Sequence, residues 1–309
     1  MIESPGCTAT GRRYVTLDVF TDKRFGGNPL AVVLDAQGLT GPQMQSIARE
    51  FNYSETTFML PPVDPRHTAR VRIFTARTEV PFAGHPNIGT AVAWARERQA
   101  QGGALPARLV FEELAGLVPI RLLQDSGGVV GAELTAPERL SVGPSVSRDE
   151  AAACVGLSAH EVTDSRHPPQ VISVGLPFLT MELRSREALR RAKPQLAAHE
   201  RILPAVGTDA VFAYVRGEDD GHLHARMFAP LDATIEDPAT GSAAAATIAL
   251  LTELHADRET ECRWRIEQGG EMGRPSLILG RTEKKAGRVA AVHVGGQALS
   301  VMRGVLQAE

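Results

Sequence analysis

The chain has 309 residues, of which 43% are hydrophobic and 22% are charged, and its formal net charge is -3. This composition is typical of a globular protein of about two domains and excludes collagen, a coiled coil and a disordered chain. A slightly acidic chain has no general attraction for phosphate backbones or anionic membranes. We therefore expect neither nucleic acid nor a membrane as a partner.

Cysteine usage and apolar segments bear on the compartment. Cys7, Cys154 and Cys262 are odd in number and form no C-x-x-C pair, which predicts neither a disulfide framework nor a zinc knuckle and fits a reducing compartment. The N-terminus lacks a charged segment followed by an apolar one, and the longest largely apolar stretch, residues 243–251, is far shorter than the ~18 residues of a membrane helix. We expect a soluble, cytoplasmic protein.

The first predicted elements along the chain are strands and one helix. Strand-forming residues and alternation of apolar and polar positions predict strands at residues 14–20, 30–34, 56–60 and 69–75. Apolar positions then recur at helical spacing between Met44 and Phe51, after the turn sequence Thr40-Gly41-Pro42. This pattern predicts a helix over residues 40–51.

Two more helices are predicted from Gly/Pro-rich turns. One follows Pro86 and runs through residues 90–94, and the other follows Pro238 and runs through residues 243–251. Both are built mainly from small residues, so we expect them to pack deep against sheets.

These two helices belong to an internal repeat. Residues 73–93 (IFTARTEVPFAGHPNIGTAVA) align with residues 227–246 (MFAPLDATIEDPATGSAAAA). Flanking segments align in the same order, 25–35 with 174–183, 54–61 with 208–217 and 109–122 with 264–279. Such a repeat predicts two similar lobes, with a boundary in the turn-rich stretch 135–147. We assign residues 1–138 to the N-terminal lobe and residues 139–309 to the C-terminal lobe. The last strand could return to the first lobe.

The starts of the repeat helices suit anion binding, because a helix N-terminus offers unpaired backbone N–H groups and partial positive charge. Gly84 and His85 lie at one start, and Asp237, Gly241 and Ser242 lie at the other. If the lobes face each other, both starts would look into one cleft. His85 and Asp237 each precede a proline in the alignment and could move protons or hold the substrate. For Asp237 the alternative is a simple N-cap.

Several segments together resemble a known family. FGGNPLAVVLDA, NYSETTFMLP, EVPFAGHPNIGTA, EDPATGSAAA and EQGGEMGRPS are similar to the motif series of the PhzF family, the phenazine-biosynthesis isomerase and its homologues, from about Val15 to Leu306. The resemblance implies an α+β, diaminopimelate-epimerase-like fold. Two pseudo-symmetric lobes would each have a β-barrel-like sheet around a central helix, with the active site between them. It also implies a homodimer.

The resemblance assigns roles to individual residues. The catalytic residues would be Glu55, from the SET motif, together with His85 and Asp237. Ser242 and the backbone at Gly84 and Gly241 would bind the substrate and its carboxylate. Departures from the family pattern are small: Ala76 stands where proline is frequent, and Ala245 stands where glycine is common.

We therefore predict a cofactor-independent isomerase that moves a proton within a small unsaturated carboxylate, with Glu55 as the acid/base. Two alternatives stay open: an epimerase or lyase that acts on an amino or hydroxy acid, and a non-catalytic homologue that binds a small molecule. Racemases of this fold use two thiols at the helix starts. Here His85 and Asp237 occupy those places, so a two-thiol mechanism is disfavoured.

Other motifs are set aside. His222-Leu223-His224 places two imidazoles on one strand face, but the sequence identifies no third ligand, so no metal is predicted. No P-loop and no G-x-G-x-x-G sequence occurs, so we expect no nucleotide cofactor. Ser242 lacks the second glycine of G-x-S-x-G, which argues against a serine hydrolase.

Overall fold

The computed structural model describes residues 11–232 and 234–308. These residues divide into two compact units. The first unit contains residues 11–25, Pro29–Ala132 and 297–308, and the second contains Gly26–Asn28 and Glu133–Gly296. Cys7 lies outside the described residues.

Strands are numbered in chain order. They are β1 (Gly11–Val19), β2 (Asn28–Val33), β3 (Glu55–Leu60), β4 (Ala69–Phe74), β5 (Glu79–Val80), β6 (Leu109–Glu113), β7 (Gly116–Asp125), β8 (Gly128–Thr135), β9 (Ser141–Ser145), β10 (Val162–Thr163), β11 (Gln170–Ser173), β12 (Pro177–Leu183), β13 (Val211–Arg216), β14 (His222–Ala229), β15 (Thr234–Asp237), β16 (Thr260–Gln268), β17 (Ser276–Lys285) and β18 (Arg288–Gln307).

The α-helices are α1 (Gly41–Phe51), α2 (Gly84–Ala100), α3 (Arg148–Cys154), α4 (Arg186–Arg191), α5 (Leu196–Val206) and α6 (Gly241–Glu253). Short 3-10 helices occur at Ala159–Glu161, Pro230–Asp232 and Gly270–Met272. Among the described residues, none of the helices is both long and apolar enough to cross a lipid bilayer.

The elements predicted for the first part of the chain are confirmed. The four predicted strands are β1 to β4, and the predicted helix is α1. The side-chain oxygen of Thr40 accepts a hydrogen bond from the backbone N–H of Gln43, and Gln43 Oε1 accepts one from the Thr40 backbone N–H. This capping box, with Pro42 in the first turn, sets the helix start. The helix ends where Asn52 turns left-handed, with φ 52°.

One of the two repeat helices begins earlier than predicted, whereas the other follows Pro238 as predicted. α2 begins at Gly84, before Pro86, because a proline in the first turn lacks only an N–H that has no partner within the helix. α6 begins at Gly241, three residues after Pro238, since Thr240 is non-helical with φ -113° and ψ 88°. His85 is therefore the second residue of α2, whereas Asp237 is the last residue of β15.

This difference corrects the expected equivalence of His85 and Asp237. Counted from the helix starts, the residue that matches His85 is Ser242, the second residue of α6. The alignment of the two prolines concealed this. Pro86 is the third residue of α2, whereas Pro238 lies three residues before the start of α6.

The strand pairing repeats in the two units. In the first, β2 is parallel to β3, β3 antiparallel to β4, β4 parallel to β6 and β6 antiparallel to β7. In the second, β12, β13, β14, β16 and β17 pair in the same order and with the same senses. The connection between the third and fourth strands of each series contains a short strand and a buried helix: β5 and α2, or β15 and α6. The internal repeat of the sequence is thus also a repeat of topology.

The last strand contributes to the first unit. β1 pairs antiparallel with β18 from Gly11 opposite Gln307 to Val19 opposite Ala298. Arg96 of α2 also donates hydrogen bonds to the carbonyl oxygens of Val129 (3.1 Å) and Ala298 (3.0 Å). The C-terminal segment therefore both extends the sheet and holds α2.

The small residues of α2 allow the helix to lie close to the sheet. A Cβ atom at Gly89 would lie 2.5 Å from Cδ2 of Leu30 and 2.8 Å from Cγ2 of Val19. The hydroxyls of Thr57 in β3 and Thr90 in α2 are 2.7 Å apart and both are buried. Close packing and this hydrogen bond together set the position of α2 against β1, β2 and β3.

The alanine run of α6 has the same function in the second unit. Residues 243–246 are all buried. Gly280 of β17 provides room for Ile248, since a Cβ atom there would lie 2.5 Å from the Ile248 Cδ1 atom. The prediction that both small-residue helices pack deep against sheets is confirmed.

Gly89→Ala tests the close approach of α2. The added methyl group must displace the buried side chains of Leu30 and Val19, and such overpacking costs about 1–3 kcal/mol against a helix-propensity gain of up to ~1 kcal/mol. We expect urea titrations to show a free energy of unfolding lower by about 1–2 kcal/mol. Gly270→Ala is the control, because nothing lies within 4 Å of its added methyl group. Equal effects of the two substitutions would contradict the packing argument.

Candidate active site

Glu55 and His85 lie together in the first unit. Glu55 is the first residue of β3 and His85 the second residue of α2. The hydrogen bond between Thr57 and Thr90 joins these two elements. Oε2 of Glu55 lies 3.4 Å from Nε2 of His85, and the side chains are only 18% and 7% exposed. The two groups are thus largely withdrawn from water.

Burial determines the charge of His85. Loss of hydration penalises the protonated imidazole and lowers its pKa from 6.5 to about 3. At neutral pH the ring is therefore neutral, with one nitrogen as donor and the other as acceptor. The two side chains form a carboxyl group beside a neutral imidazole rather than an ion pair.

The start of α2 carries no side-chain cap. Ala83 is the N-cap residue, and its carbonyl oxygen accepts a hydrogen bond from Nδ2 of Asn87 (3.0 Å). The first backbone N–H groups of a helix have no partner within the helix and lie at its positive end. The turn at Gly84 and His85 therefore has the chemistry of a carboxylate site.

Glu113 is a second buried carboxyl group beside this turn. It is the last residue of β6, and both of its carboxyl oxygens are buried. Burial raises the pKa of Glu113 to about 8, and the nearby amide of Asn87 partly opposes the shift. Glu113 therefore keeps its proton at neutral pH. Sequence reasoning missed this residue.

Asp237 is a buried acid of the second unit. Its Oδ2 accepts a hydrogen bond from the Thr240 hydroxyl (2.5 Å), and its Oδ1 accepts one from Nδ2 of Asn28 (2.8 Å). Burial raises the pKa of Asp237 to about 6, while these two hydrogen bonds oppose the shift. The N-cap of α6 is Thr240, not Asp237. The capping interpretation of Asp237 is therefore wrong.

Gln268, the last residue of β16, holds the turn between Asp237 and α6. Its Nε2 donates to the carbonyl oxygen of Asp237 (2.7 Å), and its Oε1 accepts from the backbone N–H of Thr240 (3.1 Å). Sequence reasoning missed Gln268, Thr240 and Asn28. A signal for Gln268 was present, because in the repeat it aligns with Glu113. A protonated carboxyl has nearly the shape of an amide, so both units end this strand with a group of the same shape.

The predicted site residues fall into one group in each unit. Gly84, His85 and Glu55 belong to the first unit, and Asp237, Gly241 and Ser242 belong to the second. Gly241 and Ser242 are the first two residues of α6, whose first turn also lacks a side-chain cap. That both groups act on one substrate stays a prediction.

Neither described cysteine lies at a helix start of the repeat. Cys154 is the last residue of α3 and lies in a hydrophobic cluster, and Cys262 lies in β16. Burial raises the pKa of Cys154 to about 11, so its thiol is protonated and unreactive at neutral pH.

The chain is similar to known proteins over nearly its whole length. A family model described as phenazine biosynthesis-like protein matches residues 17–304. An uncharacterized isomerase of Mesorhizobium japonicum is 38% identical, with 96% of this chain and 98% of the relative covered. Trans-2,3-dihydro-3-hydroxyanthranilate isomerase of Pseudomonas aeruginosa is 36% identical, with 94% and 98% covered.

Solved structures show the same fold. A phenazine biosynthesis protein of the PhzF family from Bacillus anthracis has a TM-score of 0.82 and 27% identity, with 96% of this chain and 99% of that chain covered. A hydroxyproline epimerase from Agrobacterium vitis, at 13% identity, is similar in fold alone, with a TM-score of 0.62 and 97% and 92% covered.

The protein is thus an isomerase with an α+β, diaminopimelate-epimerase-like fold, which confirms the expected fold class. The chain belongs to the phenazine biosynthesis-like, or PhzF, family.

Glu113→Gln tests the buried proton. Because the pKa of Glu113 is raised from 4.5 to about 8, folding takes up a proton between these pH values, and stability falls as the pH rises through this range. Glutamine keeps the shape and cannot ionise. At about 1.4 kcal/mol per pKa unit, we expect Glu113→Gln to exceed the wild type in free energy of unfolding by on the order of 5 kcal/mol near pH ~9, and by much less near pH ~5.

The neighbouring Glu112→Gln is the control for this titration. Backbone N–H groups of Asp64 and Val63 donate to Glu112 and lower its pKa. Its substitution should therefore reduce stability at neutral pH, and the reduction should vanish in acid, where the wild-type carboxylate is lost. A stability difference for Glu113→Gln that did not vary with pH would contradict the proposed protonation.

Thr240→Val tests the hydrogen bond to Asp237. Removing the hydroxyl removes a donor that favours the ionised carboxylate, so the pKa of Asp237 should rise above about 6. Carbon-13 NMR of the aspartate carboxyl groups measures this titration directly. Thr252→Val, which removes another buried hydroxyl of α6, should leave it unchanged. If Asp237 titrates at the same pH in the wild type and in Thr240→Val, the hydrogen bond has no such effect.

Proposed function

We propose that the protein is a cofactor-independent isomerase that moves a proton within a small unsaturated carboxylate, with Glu55 as the acid/base. The observation that carries this proposal is the buried contact between Oε2 of Glu55 and Nε2 of His85, 3.4 Å long, at the uncapped start of α2. This contact supports the proposal because a carboxyl group that can carry a proton lies beside a helix start suited to a substrate carboxylate.

A proton that leaves one carbon and returns to another must stay on its carrier in between. His85 is suited to the position beside Glu55 because its pKa of about 3 prevents the imidazole from keeping that proton. The neutral ring can still donate or accept a hydrogen bond and orient the carboxyl group or the substrate. Little exposure of either group limits exchange of the proton with water.

The remaining residues receive binding roles in this proposal. The helix starts at Gly84 and Gly241 bind carboxylate oxygen through backbone N–H groups. His85, Asp237 and Ser242 hold and polarise the substrate. Asp237 has the firmest placement for this, since Thr240 and Asn28 fix both of its oxygens.

The relatives suggest a first substrate to assay. Two of them, from Pseudomonas aeruginosa and Pseudomonas chlororaphis, are named trans-2,3-dihydro-3-hydroxyanthranilate isomerase. That compound is an unsaturated carboxylate, as the proposal requires. It should be assayed beside a set of other small unsaturated carboxylates. The homodimer and the cytoplasmic location stay predictions.

Glu55→Gln tests the proton carrier. Glutamine has the size and the hydrogen-bonding groups of the acid but cannot transfer a proton, and general acid/base groups contribute about 10²- to 10⁴-fold to the rate. We expect kcat to fall by at least about 10²-fold while the substrate dissociation constant changes little. The exposed Glu50→Gln is the control and should keep wild-type turnover.

Isotope transfer provides a second readout. The reaction in D₂O should place deuterium at one carbon of the product to the extent that the proton on Glu55 exchanges with solvent. If Glu55→Gln turns over within a few-fold of the wild type, Glu55 is not the carrier and Asp237 or His85 must be tested in its place. Binding without turnover in the wild type, on every carboxylate tried, would favour the non-catalytic alternative.

A further inference from the structure

Three potential metal ligands lie close together in the second unit. None of them is one of the proposed acid/base residues. Nε2 of His222 lies 3.1 Å from Oε1 of Glu267, and Nδ1 of His224 lies 3.1 Å from Oε2 of the same carboxylate. One ligand atom from each residue lies within 4.8 Å of the others. The sequence identified two imidazoles, and the structure adds a carboxylate from a strand far along the chain.

The register of the sheet brings the three side chains together. β14 is parallel to β16, with His222 beside Arg265, Leu223 beside Ile266 and His224 beside Glu267. Side chains alternate between the two faces of a strand. Leu223 and Ile266 are buried on one face, so the two histidines and Glu267 lie on the other.

The nitrogen of His224 that faces the carboxylate is poorly aligned with it. Nδ1 is buried and lies 3.1 Å from Oε2 of Glu267, but the contact does not have the geometry of a good hydrogen bond. A metal ion bound by both atoms would satisfy them better. Nε2 of His222 does make a hydrogen bond to Oε1 of Glu267.

The position of the His222 ring is set by its own hairpin. The backbone N–H of Gly217 donates to the carbonyl oxygen of His222 (2.8 Å), which closes the turn between β13 and β14. A Cβ atom at Gly217 would lie 2.7 Å from Nδ1 of His222. The absent side chain of Gly217 therefore makes room for the ring.

The equivalent carboxylate of the first unit has different hydrogen-bond partners. In the internal repeat Glu112 aligns with Glu267. Glu112 accepts the backbone N–H groups of Val63 and Asp64 and contacts one imidazole, that of His67. The fold alone thus does not require two histidines on this carboxylate, and their convergence in the second unit is a feature of this chain.

We propose that His222, His224 and Glu267 bind a divalent transition-metal ion of the zinc class. Imidazole nitrogen suits Zn²⁺ and its neighbours in the first row, whereas Mg²⁺ and Ca²⁺ prefer oxygen ligands. Zn–N and Zn–O bonds of about 2.0–2.2 Å place tetrahedral ligand atoms about 3.3–3.5 Å apart, close to the observed nitrogen–oxygen distances. Partial exposure of all three side chains leaves the fourth position to water.

A metal ion here would join β14 to β16 beside the Asp237 turn. Glu267 precedes Gln268, whose side chain lies on the buried face and holds Asp237 and Thr240. The ion would hold β16 in place at the point where that strand supports the turn. The inference is independent of the proposed reaction, since none of its three residues is assigned a part in proton transfer.

Metal titration tests the proposal. The full chain, stripped with a chelator, should bind one equivalent of Zn²⁺ in calorimetry, and Co²⁺ should give the visible absorption of a tetrahedral site. Zn²⁺ should also raise Tm. Glu267→Gln and His224→Gln should each weaken binding by at least roughly tenfold and remove the rise in Tm. Circular dichroism checks that the variants are folded, and His222→Gln replaces either one that is not.

His255→Gln is the matched control. His255 has a carboxylate neighbour, with Nδ1 3.7 Å from Oδ2 of Asp257, but the pair is exposed. This substitution should leave Zn²⁺ binding unchanged. The proposal is overturned if the stripped protein binds no stoichiometric Zn²⁺, if the variants at 224 and 267 bind as tightly as the wild type, or if His255→Gln abolishes binding.

Discussion

The close approach of α2 to its sheet is the constraint on which the candidate site of the first unit depends. Gly89 lets the helix come within contact of Leu30 and Val19, and the hydrogen bond between Thr57 and Thr90 joins the helix to β3. Glu55 begins β3 and His85 lies in the first turn of α2, so this packing places their side chains 3.4 Å apart. A helix held further out would separate the carboxyl group from the imidazole.

The same packing sets the protonation states. Helices buried along most of their length bring their first turns, with the polar groups beside them, into a poorly hydrated environment. There the neutral form of each group is favoured: His85 loses its proton, Glu113 keeps its own, and the pKa of Asp237 rises to about 6. Two hydrogen bonds, from Thr240 and Asn28, counteract burial at Asp237, whereas at Glu113 only Asn87 does so. The two acids therefore respond to pH in different ranges.

The two faces of β16 carry side chains with different contacts. Gln268 lies on its buried face and supports the turn of Asp237, while Glu267, one residue earlier, lies on the other face beside two histidines. In β6 of the first unit, Glu113 and Glu112 alternate in the same way. The two units thus share the geometry of this strand end but differ in the side chains that lie at it and in the partners of those side chains.

The sequence by itself determined the internal repeat, the early strands and α1, because alternation, helical spacing and capping are local patterns. Its motifs also predicted Glu55, His85 and Asp237 as site residues. Only the tertiary structure decided that α2 begins at Gly84, that Asn28 and Gln268 bind Asp237, that Glu113 is buried with its proton, and that Glu267 joins two histidines. These contacts depend on strand register and on burial between residues far apart in the chain, and neither leaves a periodic pattern in the sequence.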